Sequence, residues 1–179
     1  RVSALRTLGA FANVCAIESF VDELAELANI SPINFRISHL SDRRAIQAIH
    51  LLDKKMKKNF AGKKDNLGAG VGFARYKNSA AYCAIGIELE VNEGAEVLLH
   101  RAWIVADAGE VVDPDGLVAQ LEGGLIQAAS WALLEEVTFD SGGITSRNWE
   151  GYPILGFNNI PEIETTLIDR KENNRKISF

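Results

Sequence analysis

The chain has 179 residues, of which 47% are hydrophobic and 24% charged, and a net charge of −5. That length supplies one good core, or two small ones sharing an interface, and the composition is that of a folded globular protein. The acidic balance argues against a broad nucleic-acid surface, and no apolar run approaches the roughly 18 residues that a membrane span needs.

The chain opens at Arg1 without a methionine and without a signal-like pattern, which reads as a fragment or a processed form. Two cysteines, Cys15 and Cys83, stand far apart and form no C-x-x-C pair. They are expected to be small buried hydrophobes in a reducing, cytoplasmic compartment rather than zinc or iron–sulfur ligands. His39, His50 and His100 show no metal-ligand spacing.

In chain order, residues 12–28 predict an amphipathic helix, with Val14, Ile17, Phe20, Val21 and Leu24 on one face. Ser31 followed by Pro32 is a helix start signal, and a short second helix runs to about His39. Asp42 can cap a third helix carrying Ile46, Ile49, Leu51 and Leu52. That helix fades into Lys54, Lys55, Lys57 and Lys58, followed by Lys63 and Lys64. This run could touch phosphate, but a solvated helix end is the better reading.

From Gly62 to Gly72 the composition turns to Gly, Lys and Asp, a loop between subregions. Strands are expected from Gly70 to Tyr76 and from Ala80 to Val91, the second by ten residues of period-two alternation. A turn at 92–94 leads to an antiparallel partner from Glu96 to Asp107. Residues 113–116 form a turn that caps an apolar helix from Leu117 to Leu134, expected to be buried. A second hairpin spanning Glu136–Phe139 and Ile144–Ser146, then a strand from Glu162 to Asp169, complete the pattern. The fold class is α+β: N-terminal helices followed by antiparallel hairpins packed on a buried helix.

The residues alone say little about chemistry. There is no nucleophile elbow, P-loop or H-E-x-x-H motif. Gly68, Gly70 and Gly72 imitate a dinucleotide fingerprint but precede a strand instead of following one. Asp107, Asp113 and Asp115 form the densest carboxylate group, yet strand ends and turns favour Asp for backbone capping. Arg6 is a lone cation in an apolar, Gly-containing segment that runs into a helix start, where an anion would meet both guanidinium and free N–H groups. Its alternative is a salt bridge to an acid such as Glu18. Gly123 and Gly124 inside a helix each cost about 1 kcal/mol against Ala, which implies close packing of a backbone or a ligand.

Several blocks then assemble in order. They are Ala4–Ala10 with Ala12–Phe20, Ser31–Arg36, Gly72–Asn78, Glu88–Val91, Ala106–Gly109, Val112–Gly116, Gln120–Gln127, Tyr152–Leu155 and Leu167–Arg170. Over about residues 1–170 the chain resembles the molybdopterin-binding large subunit of the xanthine dehydrogenase/aldehyde oxidase family. The resemblance implies oxidation of an aldehyde or aromatic N-heterocycle with water as the oxygen source. The cofactor is a molybdenum–pterin group, often a cytosine dinucleotide in bacteria, with iron–sulfur and FAD subunits or domains as electron partners. By the same resemblance Arg6 matches the arginine beside the cofactor and Gly9 lets the backbone approach. Gln120, Gly123 and Gly124 match a helix near it.

The departures are equally specific. The family's catalytic glutamate follows the segment matched by Leu167–Arg170, whereas here residues 171–179 form a basic, polar tail. A glycine-rich pterin-contacting segment is missing between Arg6 and Tyr82. The expectation is therefore a C-terminal fragment, inactive alone, with no catalytic or metal-ligating residue and no cofactor held by this chain by itself. It divides into a helical cofactor-side segment (1–61), an α+β part of the molybdopterin-binding domain (62–170) and an atypical tail (171–179). Its partners are the remainder of the large subunit and, through exposed apolar surface, other copies of itself, with no nucleic acid and no membrane. The rival reading is a non-catalytic scaffold or assembly module that kept the fold.

Overall fold

A computed structural model describes residues 6–59 and 66–170. The expectations for Ala4–Leu5, for the loop between Gly62 and Asp65 with its two lysines, and for the tail at 171–179 lie outside the described residues.

Helix α1 (Ala10–Leu27) turns Val14, Val21, Leu24 and Ala25 inward, and only Ala25 is fully buried. It ends where Asn29 takes a left-handed conformation, φ 54°. There the Ile30 N–H reaches back to the Ala25 carbonyl and the Asn29 N–H to the Glu26 carbonyl, a closure in which Asn tolerates the positive φ better than most residues. Helix α2 (Pro32–Ser38) starts as the sequence predicts: Ser31 Oγ accepts from the Asn34 N–H at 3.3 Å. Helix α3 (Arg43–Asn59) starts at Asp42, whose Oδ1 accepts from the Arg44 N–H at 2.9 Å.

The sheet contains β1 (Leu67–Tyr76), β2 (Ala81–Val91), β3 (Val97–Asp107) and, after helix α4 (Pro114–Leu133), the strand Glu162–Leu167. Between α4 and that last strand lie two-residue strands β4 (Phe139–Asp140) and β5 (Gly143–Ile144), so the last strand is β6. Strand order is β1-β2-β3-β6. The predicted hairpin forms β2 and β3 within one residue of its expected bounds, and its turn is tied by Asn92 Oδ1, which accepts from the N–H groups of Gly94 and Glu96. The glycines 68, 70 and 72 lie inside β1, paired along β2, rather than in a flexible lead-in.

Two features depart from the hairpin picture. β6 pairs with β3 in parallel, which is why a crossover through α4 separates them. The second hairpin shrinks to two exposed residue pairs, since a short exposed ladder has no apolar face to hold it.

Alternation in β2 and β3 divides the core. Ala84, Trp103 and Val105 face α3 and pack on Ala48, Ile49, Leu52 and Met56. Ala102 and Ile104 face the other way, against Leu121 and Leu125 of α4, with Cys83, Ile85, Ile87 and Ile163 around them. Gly86 is what lets α3 come so close, because a Cβ there would fall against Met56 Sδ. Within α4 only Leu125 and Ser130 are buried. Its apolar content therefore exceeds what the sheet covers, and the expectation of a helix enclosed on all sides is corrected to one held against the sheet by a single face.

Candidate cofactor-binding site

Arg6 is exposed and reaches across the fold to α4. Its Nη2 donates to the Gln120 carbonyl oxygen at 2.9 Å and to Gln120 Oε1 at 3.0 Å. A Cβ on Gly124 would stand 3.6 Å from the same nitrogen, so the guanidinium lies over the bare backbone of α4 at that glycine. Three of the five residues singled out by sequence therefore meet. Glu18, the alternative partner for Arg6, is engaged elsewhere.

The other two stand differently. Gly9 is the N-cap of α1 with φ −80°, and a Cβ there would meet only Asn13 Nδ2 at 3.7 Å. Gly123 faces open space. Among the described residues, neither the backbone conformation nor packing demands glycine at these two places.

Between Arg6 and Gly9 the chain holds Thr7 at φ 79° and Leu8 at φ 52°. Left-handed conformations in non-glycine residues cost on the order of 1–3 kcal/mol each and concentrate at ligand-binding sites. The turn closes with the Ala10 N–H on the Thr7 carbonyl. Among the described residues no side chain caps the start of α1, and its first turn carries no acid. A cation next to an uncapped helix N-terminus suits an anion, because the first-turn N–H groups and the helix dipole both favour negative charge. The residues present thus fit the phosphate-bearing part of a pterin cofactor.

Beside Arg6 lies a cleft of about 280 Å³ walled by Leu8, Phe11, Trp131 and Tyr152, with Glu135 at its edge. Phe11 and Trp131 meet edge to face, ring centroids 5.2 Å apart. Sequence reasoning did not single out Glu135. Ser130 Oγ donates to its Oε1 at 2.5 Å and Tyr152 OH to its Oε2 at 2.8 Å, while Ser130 Oγ also accepts from the Leu155 N–H. The hydrogen bond to Glu135 raises the Tyr152 phenol above its ordinary value, helped by burial and by the negative charge. The only trace of this group in the sequence is an acid just past the end of an apolar helix.

Two further ionic clusters are structural. Arg36 is 5% exposed and donates to Glu18 Oε2 at 2.9 Å and to Asp22 Oδ1 at 2.6 Å. Glu18 Oε2 also accepts from the Phe73 N–H, so this cluster ties α1 and α2 to β1. Asp107, fully buried, accepts from Arg44 at 2.6 Å, from Arg170 and from the Gly109 N–H. Burial pushes the Asp107 carboxyl up, but the bonds from Arg44, Arg170 and Gly109 outweigh it and hold it below the usual carboxylate range. Asp113 caps α4 by accepting from the Gly116 N–H at 3.0 Å. The carboxylate group thus serves architecture, as its turn setting predicts.

Cys15 is exposed, not buried: its helix has one covered face and Cys15 is on the other. Cys83 lies half-buried between sheet and α4. Two of the lysines of α3 form ion pairs, Lys55 with Glu164 and Lys57 with Asp53. A larger groove of about 610 Å³ runs between the start of β3 and the end of α4, walled by leucines and Val97 with Glu96, His100, Asn158 and Asn159 among them, and no predicted site residue lines it. Among the described residues no three of His, Cys, Asp and Glu are grouped to hold a metal ion, and no helix is long and apolar enough to cross a membrane.

Comparison with known proteins gives the family of the chain. Residues 14–161 match the molybdopterin cofactor-binding domain family. The chain is 35% identical over 188 aligned positions to a nicotinate dehydrogenase subunit of Pseudomonas putida, covering 96% of this chain and 16% of that protein. It is 32% identical over 174 positions to the beta subunit of isoquinoline 1-oxidoreductase of Brevundimonas diminuta, covering 94% and 22%. Among solved structures, quinoline 2-oxidoreductase from Pseudomonas putida 86 aligns with TM-score 0.48 at 24% identity, over 50% of this chain and 12% of that one. The chain spans about a sixth to a fifth of the length of the two curated relatives. With a family match across most of its length, the chain belongs to the molybdopterin cofactor-binding domain family.

Proposed function

We propose that this chain supplies one wall of the molybdenum–pterin site in a hydroxylase that oxidises an aldehyde or an aromatic N-heterocycle, with water as the oxygen source. The observation that carries the reading is the convergence of Arg6, Gln120 and Gly124 beside an uncapped helix N-terminus. When bound, the cofactor supplies the two-electron oxidation of a carbon centre; the protein supplies binding, orientation and electrostatics. Arg6 and the first turn of α1 hold its phosphate. Gln120 keeps the guanidinium in place, and Gly124 leaves room for it over the helix.

The relatives named for nicotinate and isoquinoline, both aromatic N-heterocycles, support the heterocycle side of this reading. Both oxygens of Glu135 accept hydroxyl donors from within the chain, which gives it a structural role. The base is therefore proposed to come from another part of the enzyme, and the isolated chain to be inactive. A cytosine dinucleotide form of the cofactor, iron–sulfur and FAD electron partners, and a cytoplasmic location complete the proposal. Exposed Val112, Phe139, Trp149 and Phe157 support burial against the remainder of a large subunit, or self-association in its absence.

Titrating the full chain with pyrophosphate tests the anion site. Saturable binding is expected, at least tenfold weaker in Arg6→Ala; no binding, or no dependence on Arg6, overturns it. Molybdenum analysis with a heterocycle-oxidation assay tests the rest: turnover by this chain alone would overturn its assignment as a partial site.

A further inference from the structure

Among the described residues β1 is an edge strand, with β2 on one side and no strand on the other. Its open side is nevertheless occupied at two successive positions. The Phe73 N–H donates to Glu18 Oε2 at 2.7 Å, and the Val71 carbonyl accepts from Arg36 Nη2 at 3.4 Å. A strand residue turns its N–H and C=O to the same side, so Val71 and Phe73 both point these groups away from β2. By the same parity Ala69 does so too, since the register of β1 on β2 is unbroken. A carbonyl and the N–H two residues on are rungs that an added strand needs. Here a guanidinium and a carboxylate fill them.

The two side chains are also bonded to each other, Arg36 Nε to Glu18 Oε2 at 2.9 Å, and Arg36 is anchored by Asp22 and by the carbonyls of Pro32 and Glu18. Glu18 stands on α1, whose one fully buried residue is Ala25, so apart from this cluster little burial holds that helix over the edge. The rest of β1 favours pairing. It carries a single charge, Arg75 near its end. Glycines 68, 70 and 72 alternate along it, and a Cβ at Gly70 or Gly72 would meet nothing within 4 Å among the described residues. Gly-rich strands specify register weakly, and an open edge with few charges is a template for another chain.

We propose that Arg36 and Glu18 form a stop on the β1 edge that keeps a second copy of this chain from adding its own β1. Two identical edges are self-complementary: antiparallel about a two-fold axis, each offers the N–H and C=O groups that the other needs. With the stop in place the rungs at Val71 and Phe73 are taken, and no continuous ladder forms. The exposed apolar residues Val112, Phe139, Trp149 and Phe157 belong to other segments, so association through them is independent of the stop.

The test is sedimentation velocity over a concentration series on four chains: the parent, Ala69→Pro, the double variant Glu18→Ala with Arg36→Met, and the double variant with Ala69→Pro added. Removing both charges leaves neither of the pair buried without its partner. Asp22 is 43% exposed and keeps water. Proline at position 69 deletes an N–H that points away from β2, so it blocks an added strand and spares the β1–β2 ladder. The double variant is expected to associate at least tenfold more tightly than the parent, and Ala69→Pro to return it to the parent's value. Hydrogen exchange should show the amides of Ala69, Val71 and Phe73 gaining protection with concentration in the double variant alone.

Unchanged association in a double variant with native circular dichroism overturns the stop, as does a gain that Ala69→Pro leaves in place. The parent gives an arm that keeps the ion pair: Ala69→Pro by itself is expected to change nothing, and a tenfold fall in association would overturn the proposal by showing the edge already open. Should the double variant fail to fold, Arg36→Lys takes its place, because it keeps the charge but lacks the fork that serves Glu18, Asp22 and Val71 together. A smaller gain, again removed by Ala69→Pro, is then expected, and no gain overturns the stop.

Discussion

Arg6 and Gln120 lie 114 positions apart in the chain and meet through one nitrogen, Arg6 Nη2, which serves both the carbonyl and the side-chain oxygen of Gln120. Both residues are exposed. Exposed polar contacts of this kind contribute on the order of 0–1 kcal/mol to stability. Arg6→Ala is therefore expected to move the urea unfolding free energy by less than about 1 kcal/mol while weakening pyrophosphate tenfold. A loss of several kcal/mol would show that Arg6 is a scaffold residue.

Asp107 presents the opposite case. It is 0% exposed and shared by Arg44 and Arg170, with Arg44 also stacked 4.4 Å over the Tyr82 ring. Arg44 and Arg170 are 27% and 35% exposed, so water partly compensates them once the carboxylate is gone, and the loss is that of hydrogen bonds to a charged group, about 1.5–3 kcal/mol. Asp107→Asn should lose about that much in urea unfolding at neutral pH. A change below about 1 kcal/mol would mean that water compensates both arginines in full.

The same carboxyl sets an acid limb. Its folded-state pKa is depressed below the unfolded value of about 3.9. Its contribution is thus fully present above about pH 4 and is lost as pH falls through the lowered folded value. Unfolding free energy measured from pH 6 downward should drop more steeply in the parent than in Asp107→Asn. Identical acid slopes would remove Asp107 from the account.

Gly86 and Met56 form a packing pair between sheet and α3. A Cβ at Gly86 would press on Met56 Sδ, and Met56 is itself 8% exposed. Overpacking a filled core costs typically 1–3 kcal/mol. Gly86→Ala should fall in that range, and combining it with Met56→Ala should be less damaging than the two single losses added, by about 1 kcal/mol. Strict additivity would place the clash elsewhere.

The two thiols should separate in reactivity. Burial pushes Cys83 up to about 11, whereas Cys15 is exposed on α1. Thiolate is the reactive form, so near pH 8 a thiol reagent should label Cys15 in the folded protein and spare Cys83 until urea unfolds it. Cys15→Ser should abolish native-state labelling. Equal rates at both positions would contradict the packing of β2 against α4.

Local features were legible because their causes are local. Ser31 with Pro32, Asp42 and Asp113 start helices with side-chain oxygens that bond N–H groups two or three residues on. The hairpin from Ala81 to Asp107 follows from period-two alternation, with Tyr82, Ala84 and Glu88 buried on one face of β2. The family itself was legible in ordered sequence blocks, and the residues 14–161 matched by that family contain most of them.

What the sequence could not reach are choices among partners of equal chemistry. Arg6 and Arg36 are both arginines within reach of Glu18 on paper, and only packing of α2 against α1 gives Glu18 to Arg36 and leaves Arg6 for Gln120. Glu135 looked like any acid past a helix end until Ser130 and Tyr152 closed around it. Cys15 sits in an apolar run, yet the helix face it occupies is left uncovered. The parallel pairing of β6 with β3 likewise depends on the α4 crossover rather than on the strand's own pattern. Sequence by itself determined the helix starts, the hairpin and the family, because capping and alternation act over a few residues. Tertiary structure alone decided which charges meet and which carboxylate faces the Arg6 cleft, because those pairings depend on how distant elements pack.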